Sequence, residues 1–299
     1  LLAFSAGVYH LDASEQMKKR PMKPLLDALI KLGALISYDE AEGHFPFTID
    51  SRAVKGGEIS LDTCISSQFI SAVVMTGFLL PDGLKVNIAG GRESLPYVDI
   101  TARVMESFVM KPDVVCDNGV VSYILSGGRA YKSRKYEIEP DVSAACYFYA
   151  MAEILGCRAQ VKNVHLDSIH GDIEFVKLLT KMGAKLQDEE DGIIITGAKS
   201  GSYAGIEANL NSFSDQSLTL AAVSAFAKSP TKITGIAHIR MQESDRLLAI
   251  KNELEKLGIR AVMGDGEISI FPKEMDGQDV EIETYDDHRV AMAFALVGL

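Results

Sequence analysis

Charge collects at a few points along this chain. Arg240, Glu243, Asp245 and Arg246 fall within one seven-residue stretch, and Asp287-His288-Arg289 makes a second such point. Asp215-Gln216-Ser217, Asp141-Val142-Ser143 and Ser66-Ser67-Gln68 are milder versions. These residue types suit acid/base work on an anionic, phosphorylated substrate. Arginines such as Arg246 and Arg289 would hold the anion, and one carboxylate each, Asp215 and Glu243, would take and give a proton. Helix N-termini dressed with Ser hydroxyls and Arg also make phosphate sites. Plainer explanations compete. Ser and Asp are common N-caps, worth roughly 1 kcal/mol each, and Ser143 and Ser217 are read as caps. Gln68, His288 and Arg289 are not capping residues. An Asp245–Arg246 surface ion pair would be worth little, and Arg240 and Asp245 are read in that way.

The elements that must position these residues form an internal repeat. Four helices that run into a hairpin begin at Met22, Asp99, Asp172 and Arg246, separated by 77, 73 and 74 residues, and Gly closes all but the second. In the last of them Leu247, Leu248, Ile250, Leu254 and Leu257 follow helical spacing, and Gly258 marks the stop. The hairpin turns read Asp117-Asn118-Gly119, Asp191-Gly192 and Asp265-Gly266, the expected chemistry for tight connections. A second, more apolar helix series begins at Ser66, Ser143, Asp215 and Asp287, separated by 77, 72 and 72 residues. Helices apolar all round are buried. The unit is therefore a buried helix, a strand, a polar loop, a surface helix and a two-strand hairpin. That rhythm implies layered α/β architecture. The polar loops are residues 15–20, 91–97, 167–170 and 240–246. Together with the tops of the buried helices they are expected to line a common cleft between two lobes. The seam is expected at Tyr136–Asp141, where Pro140 pushes Glu139 into extended geometry, giving domains 1–139 and 140–299.

Bulk properties narrow the field. The 299 residues are 47% apolar and 24% charged, with a formal net charge of -11. That balance is ordinary for a globular protein and argues against general nucleic-acid binding. It leaves room for an anionic small substrate in a cationic cleft. The four cysteines contain no CxxC pair, and Cys64 and Cys146 read as core residues. A reducing cytoplasm is the expectation. No apolar run approaches spanning length. The chain starts without Met and stops inside an apolar helix, so a fragment of a longer protein is expected. The six histidines are scattered, with no HxxxH or Cys/His cluster to suggest a metal.

Several stretches resemble one family. Ser66-Ser67-Gln68-Phe69, Ser94-Leu95-Pro96-Tyr97-Val98-Asp99-Ile100-Thr101 and Gly171-Asp172-Ile173 before Lys181-Met182-Gly183-Ala184 are three of them. The helix at Asp215, Gln242-Glu243-Ser244-Asp245-Arg246-Leu247 and Tyr285-Asp286-Asp287-His288-Arg289 are the others. In order and spacing these are similar to the 5-enolpyruvylshikimate-3-phosphate synthases. The resemblance implies a two-domain α/β enolpyruvyl transferase fold of repeated βαβαββ-type units, inverse-barrel-like, with about four of six units here. It implies transfer of the enolpyruvyl group of phosphoenolpyruvate to the 5-hydroxyl of shikimate 3-phosphate, by addition and elimination and without a cofactor. It would make Asp215 the proton acceptor and Glu243 the donor to the enol carbon. Ser66, Ser67 and Ser94 would hold the shikimate phosphate, with Gln68 on the ring and Tyr97 beside it. Arg246 and Arg289 would bind phosphoenolpyruvate, with His288 lining the pocket, and His238 and Gln242 would contact substrate. The two small substrates are the only partners expected, for a monomer with no nucleic acid and no membrane.

The chain departs from the family pattern. Gln16 stands where Arg is frequent, Gln242 where Lys is frequent, and His238 where Asn is common. The first two each remove a positive charge. The expectation is that these 299 residues alone bind substrate poorly and do not turn over. Two alternatives stay open. One is the sister transferase acting on UDP-N-acetylglucosamine, whose acid is a Cys-bearing loop; no cysteine here lies in an obvious Gly/Arg-flanked polar loop. The other is a non-catalytic anion-binding module on the same scaffold.

Overall fold

A computed structural model describes residues 1–62, 67–89, 95–199, 202–275, 277 and 279–299. The chain divides into two compact units, Leu1–Tyr136 and Glu137–Leu299.

The first unit contains β1 (Val8–Leu11), α1 (Glu15–Lys18), α2 (Lys23–Lys31), β2 (Leu35–Tyr38), β3 (Phe47–Asp50) and β4 (Gly57–Asp62). It continues with α3 (Ser67–Gly77), β5 (Leu84–Ala89), α4 (Pro96–Phe108), β6 (Asp113–Asp117) and β7 (Val120–Leu125). The second contains α5 (Val142–Leu155), β8 (Arg158–Gln160), α6 (Glu174–Met182), β9 (Lys185–Glu189), β10 (Gly192–Thr196) and β11 (Glu207–Asn209). Then come α7 (Ser217–Ser224), β12 (Thr231–Thr234), α8 (Arg246–Lys256), β13 (Arg260–Met263), β14 (Ile268–Phe271) and α9 (His288–Ala295). No described helix is long and apolar enough to cross a membrane.

Every copy of the repeat builds its sheet alike: the hairpin's second strand pairs antiparallel with the strand that precedes the surface helix. The orders are β1-β3-β2, β5-β7-β6, β8-β10-β9 and β12-β14-β13. Two sheets gain a fourth strand, added in parallel: β4 beside β5 and β11 beside β12. The helix–hairpin pattern does not anticipate these two strands or β1. The β6–β7 turn places Asn118 at φ 46° and Gly119 at φ 78°, the pair of left-handed residues that a two-residue hairpin loop needs.

Local signals explain the helix limits. Asp141 caps α5 by accepting from Ala144 N–H at 3.1 Å, and Gly156 ends that helix in the left-handed conformation at φ 63°. The capping role expected of Ser143 thus belongs to Asp141, two residues upstream. Ser217 is no cap either: it is the first residue of α7, and its hydroxyl donates to the Ser214 carbonyl at 2.6 Å. In the second copy the surface helix starts at Pro96 rather than Asp99, because Pro suits the first turn. Part of the first polar loop is the one-turn helix α1, capped by Ser14.

Among the apolar helices only α7 is buried at every residue. It packs between α5 and α9 and against α8. The others leave apolar side chains exposed, including Met75 on α3, Phe148 and Leu155 on α5 and Met292 on α9. The second unit has one continuous core running through α5 to α9 and both its sheets. The first has two, one around α3, α4 and the four-stranded sheet, and one under α2 and the three-stranded sheet. Cys146 lies in the core at 0% exposure, while Cys64 is outside the described residues.

Candidate active site

The second unit brings Asp215, Glu243, Arg246 and Arg289 together around one guanidinium. A short 3-10 turn, Ser214–Gln216, carries Asp215 into α7. Arg246 is the first residue of α8, after Asp245 has capped the helix by accepting from Leu248 N–H at 3.0 Å. Asp287 caps α9 by accepting from Arg289 N–H at 2.9 Å. Three helix starts therefore converge, and their charged side chains meet.

Arg246 is 2% exposed, not a surface residue. Its Nε donates to Asp287 Oδ2 at 2.8 Å and its Nη2 to Asp287 Oδ1 at 3.2 Å, a side-on bidentate pair. Nη1 donates to Asp215 Oδ1 at 3.0 Å, and Nη2 to Glu243 Oε2 at 2.6 Å. Gln242 Oε1 accepts from Nη1 as well. Arg289 Nη2 reaches the other oxygen of Asp215 at 2.9 Å, and Tyr147 of α5 lies beside Arg289. Burial alone would raise the Asp287 carboxyl. The Arg246 guanidinium, the Arg289 N–H and the Ser244 hydroxyl, 2.9 Å away, more than offset it and hold the carboxyl below the usual aspartate value. A buried ion pair of this kind is costly to break, about 3–5 kcal/mol, because the partner left behind keeps its charge.

Further polar groups lie against the charges. His238 Nε2 lies 2.7 Å from Ser214 Oγ. Burial lowers the His238 pKa, and the opposing pull of Asp215 is weaker. Burial thus favours the neutral imidazole. Asp172, fully buried, accepts from Ser143 Oγ at 2.6 Å and Gln216 Nε2 at 2.7 Å. Burial, more than any neighbour, raises its pKa. Gln216 Oε1 is buried with no hydrogen-bond partner among the described residues.

The turn that delivers Asp287 is strained. Tyr285 and Asp286 sit in succession at φ 56° and 52°. The left-handed region costs an ordinary residue roughly 1–2 kcal/mol, and such geometry clusters at functional sites.

The other expected residues have simpler surroundings. His288 is exposed at the first position of α9. Arg240 and Asp245 pair at the surface at 2.9 Å, as expected. In the first unit Ser67 and Gln68 open α3, and Tyr97 lies in the first turn of α4. The Thr101 hydroxyl donates to the Tyr97 carbonyl at 2.9 Å and lies 2.9 Å from Ser71 Oγ. Those contacts set the starts of α3 and α4 side by side. Gln16 is exposed on α1. Ser66 and Ser94 lie outside the described residues.

Sequence reasoning did not select Asp287, Asp172, Ser244 or Tyr147. Asp287 had a signal: it opens its buried helix as Asp215 does, one repeat later. Asp172, Ser244 and Tyr147 had none, since Ser143, Gln216 and Asp287 lie 29 to 44 residues from the first two and Arg289 lies 142 from Tyr147.

Fold and site together define an enzyme of repeated α/β units whose helix starts pair arginines with carboxylates, suited to an anionic small molecule. The family model described as EPSP synthase (3-phosphoshikimate 1-carboxyvinyltransferase) matches residues 1–299. The 3-phosphoshikimate 1-carboxyvinyltransferase of Pseudoalteromonas translucida is 37% identical over all of this chain and 69% of its own length. That of Nostoc punctiforme is 36% identical over all of this chain and 68% of its own. The solved EPSP synthase of Acinetobacter baumannii superposes with a TM-score of 0.74 at 24% identity, over the whole chain and 69% of that structure, and shows the fold. The chain belongs to the EPSP synthase family, whose enzymes carry out enolpyruvyl transfer in the shikimate pathway. That membership decides against the sugar-nucleotide alternative.

Proposed function

We propose that this protein transfers the enolpyruvyl group of phosphoenolpyruvate to the 5-hydroxyl of shikimate 3-phosphate, with Asp215 as proton acceptor and Glu243 as proton donor. The observation that carries the reading is the single buried guanidinium of Arg246 touching both carboxylates, with Arg289 on the far oxygen of Asp215. Two arginines beside one acid and one base supply what the reaction needs.

The 5-hydroxyl gives its proton to Asp215 as its oxygen bonds to C2 of phosphoenolpyruvate, and Glu243 delivers a proton to C3. The product of this step is a tetrahedral intermediate. Loss of a proton from C3 and departure of phosphate from C2 then leave the enol ether. Glu243 is engaged with Arg246. An anion seated on Arg246 would take that place. In the first unit, the paired starts of α3 and α4 offer hydroxyl, amide and backbone N–H donors from Ser67, Gln68 and Tyr97, suited to shikimate 3-phosphate; Ser66 and Ser94 belong to the same reading. The protein would act on these two anions alone, as a cytoplasmic monomer.

Phosphate release from the two substrates by the full-length protein tests the proposal. Asp215→Asn and Glu243→Gln should each lower kcat about 10²- to 10⁴-fold, the usual worth of a positioned acid or base. Unchanged kcat in either variant would overturn the assignment of that residue.

A further inference from the structure

Two rungs tie α8 to the segment that leads into α9. One is the Arg246–Asp287 pair already described. The other lies outside the site. Glu253 is seven residues beyond Arg246, so it sits about two turns along the same face of α8. It is 0% exposed. Its Oε1 accepts from the Tyr285 hydroxyl at 2.7 Å. Its Oε2 accepts from Glu283 N–H at 3.0 Å and lies 2.8 Å from Lys256 Nζ. Asn252 Nδ2 donates to Tyr285 Oη at 3.4 Å. The segment is also braced within itself: Tyr285 N–H donates to Glu283 Oε1 at 3.1 Å, and Asp287 N–H to the Thr284 carbonyl at 2.9 Å.

This second rung surrounds the left-handed pair Tyr285–Asp286. Neither residue is glycine, so the conformation persists only if its surroundings impose it. Glu253 is well placed to impose it, because it grips Glu283 and Tyr285 together. The consequence falls on residues 287–289. α9 packs on α7 and α8, and the second rung fixes the turn that feeds it, so that Arg289 is presented with Nη2 on Asp215.

We propose that Glu253 and Tyr285 are positioning residues for phosphoenolpyruvate, holding the turn before α9 so that Arg289 keeps a fixed spacing from Arg246. The proposal rests on the reading of those two arginines as the phosphoenolpyruvate-binding pair. Neither Glu253 nor Tyr285 needs to touch substrate. Binding energy is lost when the arginines must be ordered on binding rather than before it.

The test uses steady-state kinetics of the full-length protein, with thermal melting alongside. Tyr285→Phe removes one hydroxyl and keeps the ring. It should raise KM for phosphoenolpyruvate about tenfold, leaving kcat and KM for shikimate 3-phosphate within about twofold, the pattern of lost ground-state positioning. Glu253→Gln keeps an acceptor for Tyr285 and should fall between wild type and Tyr285→Phe. Arg289→Lys tests the reading beneath. If it raises KM for phosphoenolpyruvate, the double variant with Tyr285→Phe should show less than the product of the two effects, since both act through Arg289. A Tyr285→Phe enzyme with unchanged KM beside an impaired Arg289→Lys enzyme overturns the clasp alone. Fully multiplicative effects, or an equal loss in kcat and both KM values, overturn it too. An Arg289→Lys enzyme with unchanged KM overturns the reading of the arginine pair and the clasp with it.

Discussion

The starts of α3 and α4 in the first unit, and of α7, α8 and α9 in the second, occupy matching places in the repeat yet carry different chemistry. The first set presents Ser67, Gln68 and Tyr97, with Thr101 and Ser71 in hydroxyl contact and a first-turn carboxylate, Asp99, accepting from the Tyr123 hydroxyl at 3.2 Å. The second presents three carboxylates and two arginines, all interlocked. The surrounding core differs accordingly. In the second unit one continuous core encloses α7 on every side, and Arg246 and Asp287 are buried at its edge. Buried charge must be paired, so every member of the cage constrains the others. Neutral donors carry no such penalty, and the start of α3 tolerates the exposure of Gln68. On the proposed reading, one scaffold position serves recognition in one unit and proton chemistry in the other.

The sharpest way to break this comparison is to empty the cage. Arg246→Met leaves Asp287 buried without its partner and should cost about 3–5 kcal/mol of stability, with no measurable phosphate release; urea melts and the phosphate assay read both. A loss under about 1 kcal/mol, the worth of a surface pair, would mean that the cage is no tighter than the first set.

The first set should respond only in binding. Gln68→Ala in the full-length protein should raise KM for shikimate 3-phosphate about tenfold with stability nearly unchanged, a loss on the scale of one or two hydrogen bonds. Folding defects in that variant would erase the distinction.

Two buried aspartates sharpen the comparison within the second unit, because their pKa values move in opposite directions. The Asp287 carboxyl is depressed, so its stabilising contribution is present above the unfolded-state value near pH 4 and is lost as pH falls through the folded value. The Asp287→Asn penalty should therefore be greatest at neutral pH and shrink in acid. Asp172 is raised. Its ionisation opposes folding, and stability declines as pH rises from about 4 through the folded value. Asp172→Asn should compare more favourably with wild type at pH 8 than at pH 4. Denaturant melts across that range read both slopes, and parallel slopes would contradict the assignment.

The smallest effect is expected at Gln242. Its amide oxygen accepts from Arg246, so an ammonium there would face a like charge and turn toward Asp215 or Glu243. Gln242→Lys should lower KM for phosphoenolpyruvate by about two- to fivefold, as one partly exposed charge contact allows. No gain would show that Arg246 already supplies the whole field.

Much of the scaffold is legible along the chain. Gly-ended helices and the Asn118-Gly119 turn are local features, set by backbone sterics within a few residues, so four copies in step can be counted. β4 also carries a readable alternation, with Ile59 and Leu61 buried between exposed Glu58 and Ser60. β11 offers three residues and no pattern; only its parallel pairing with β12 makes it a strand. Capping was legible in kind but not in position, since Asp141 and Ser143 compete for one role and the helix start decides between them.

Asp215, Glu243, Arg246 and Arg289 are recognisable from residue type and family pattern, because chemistry restricts which side chains serve. Their arrangement is another matter. Arg246 reads as a helix-mouth surface residue by position, yet it is 2% exposed and shared among three carboxylates. Asp287 lies 41 residues from Arg246, and Tyr285 lies 32 from Glu253. Local sequence determines periodicity, turns and the menu of reactive groups, since these depend on near neighbours. Only tertiary structure decides which charges are buried together, because desolvation and pairing depend on segments that folding brings within a few ångströms.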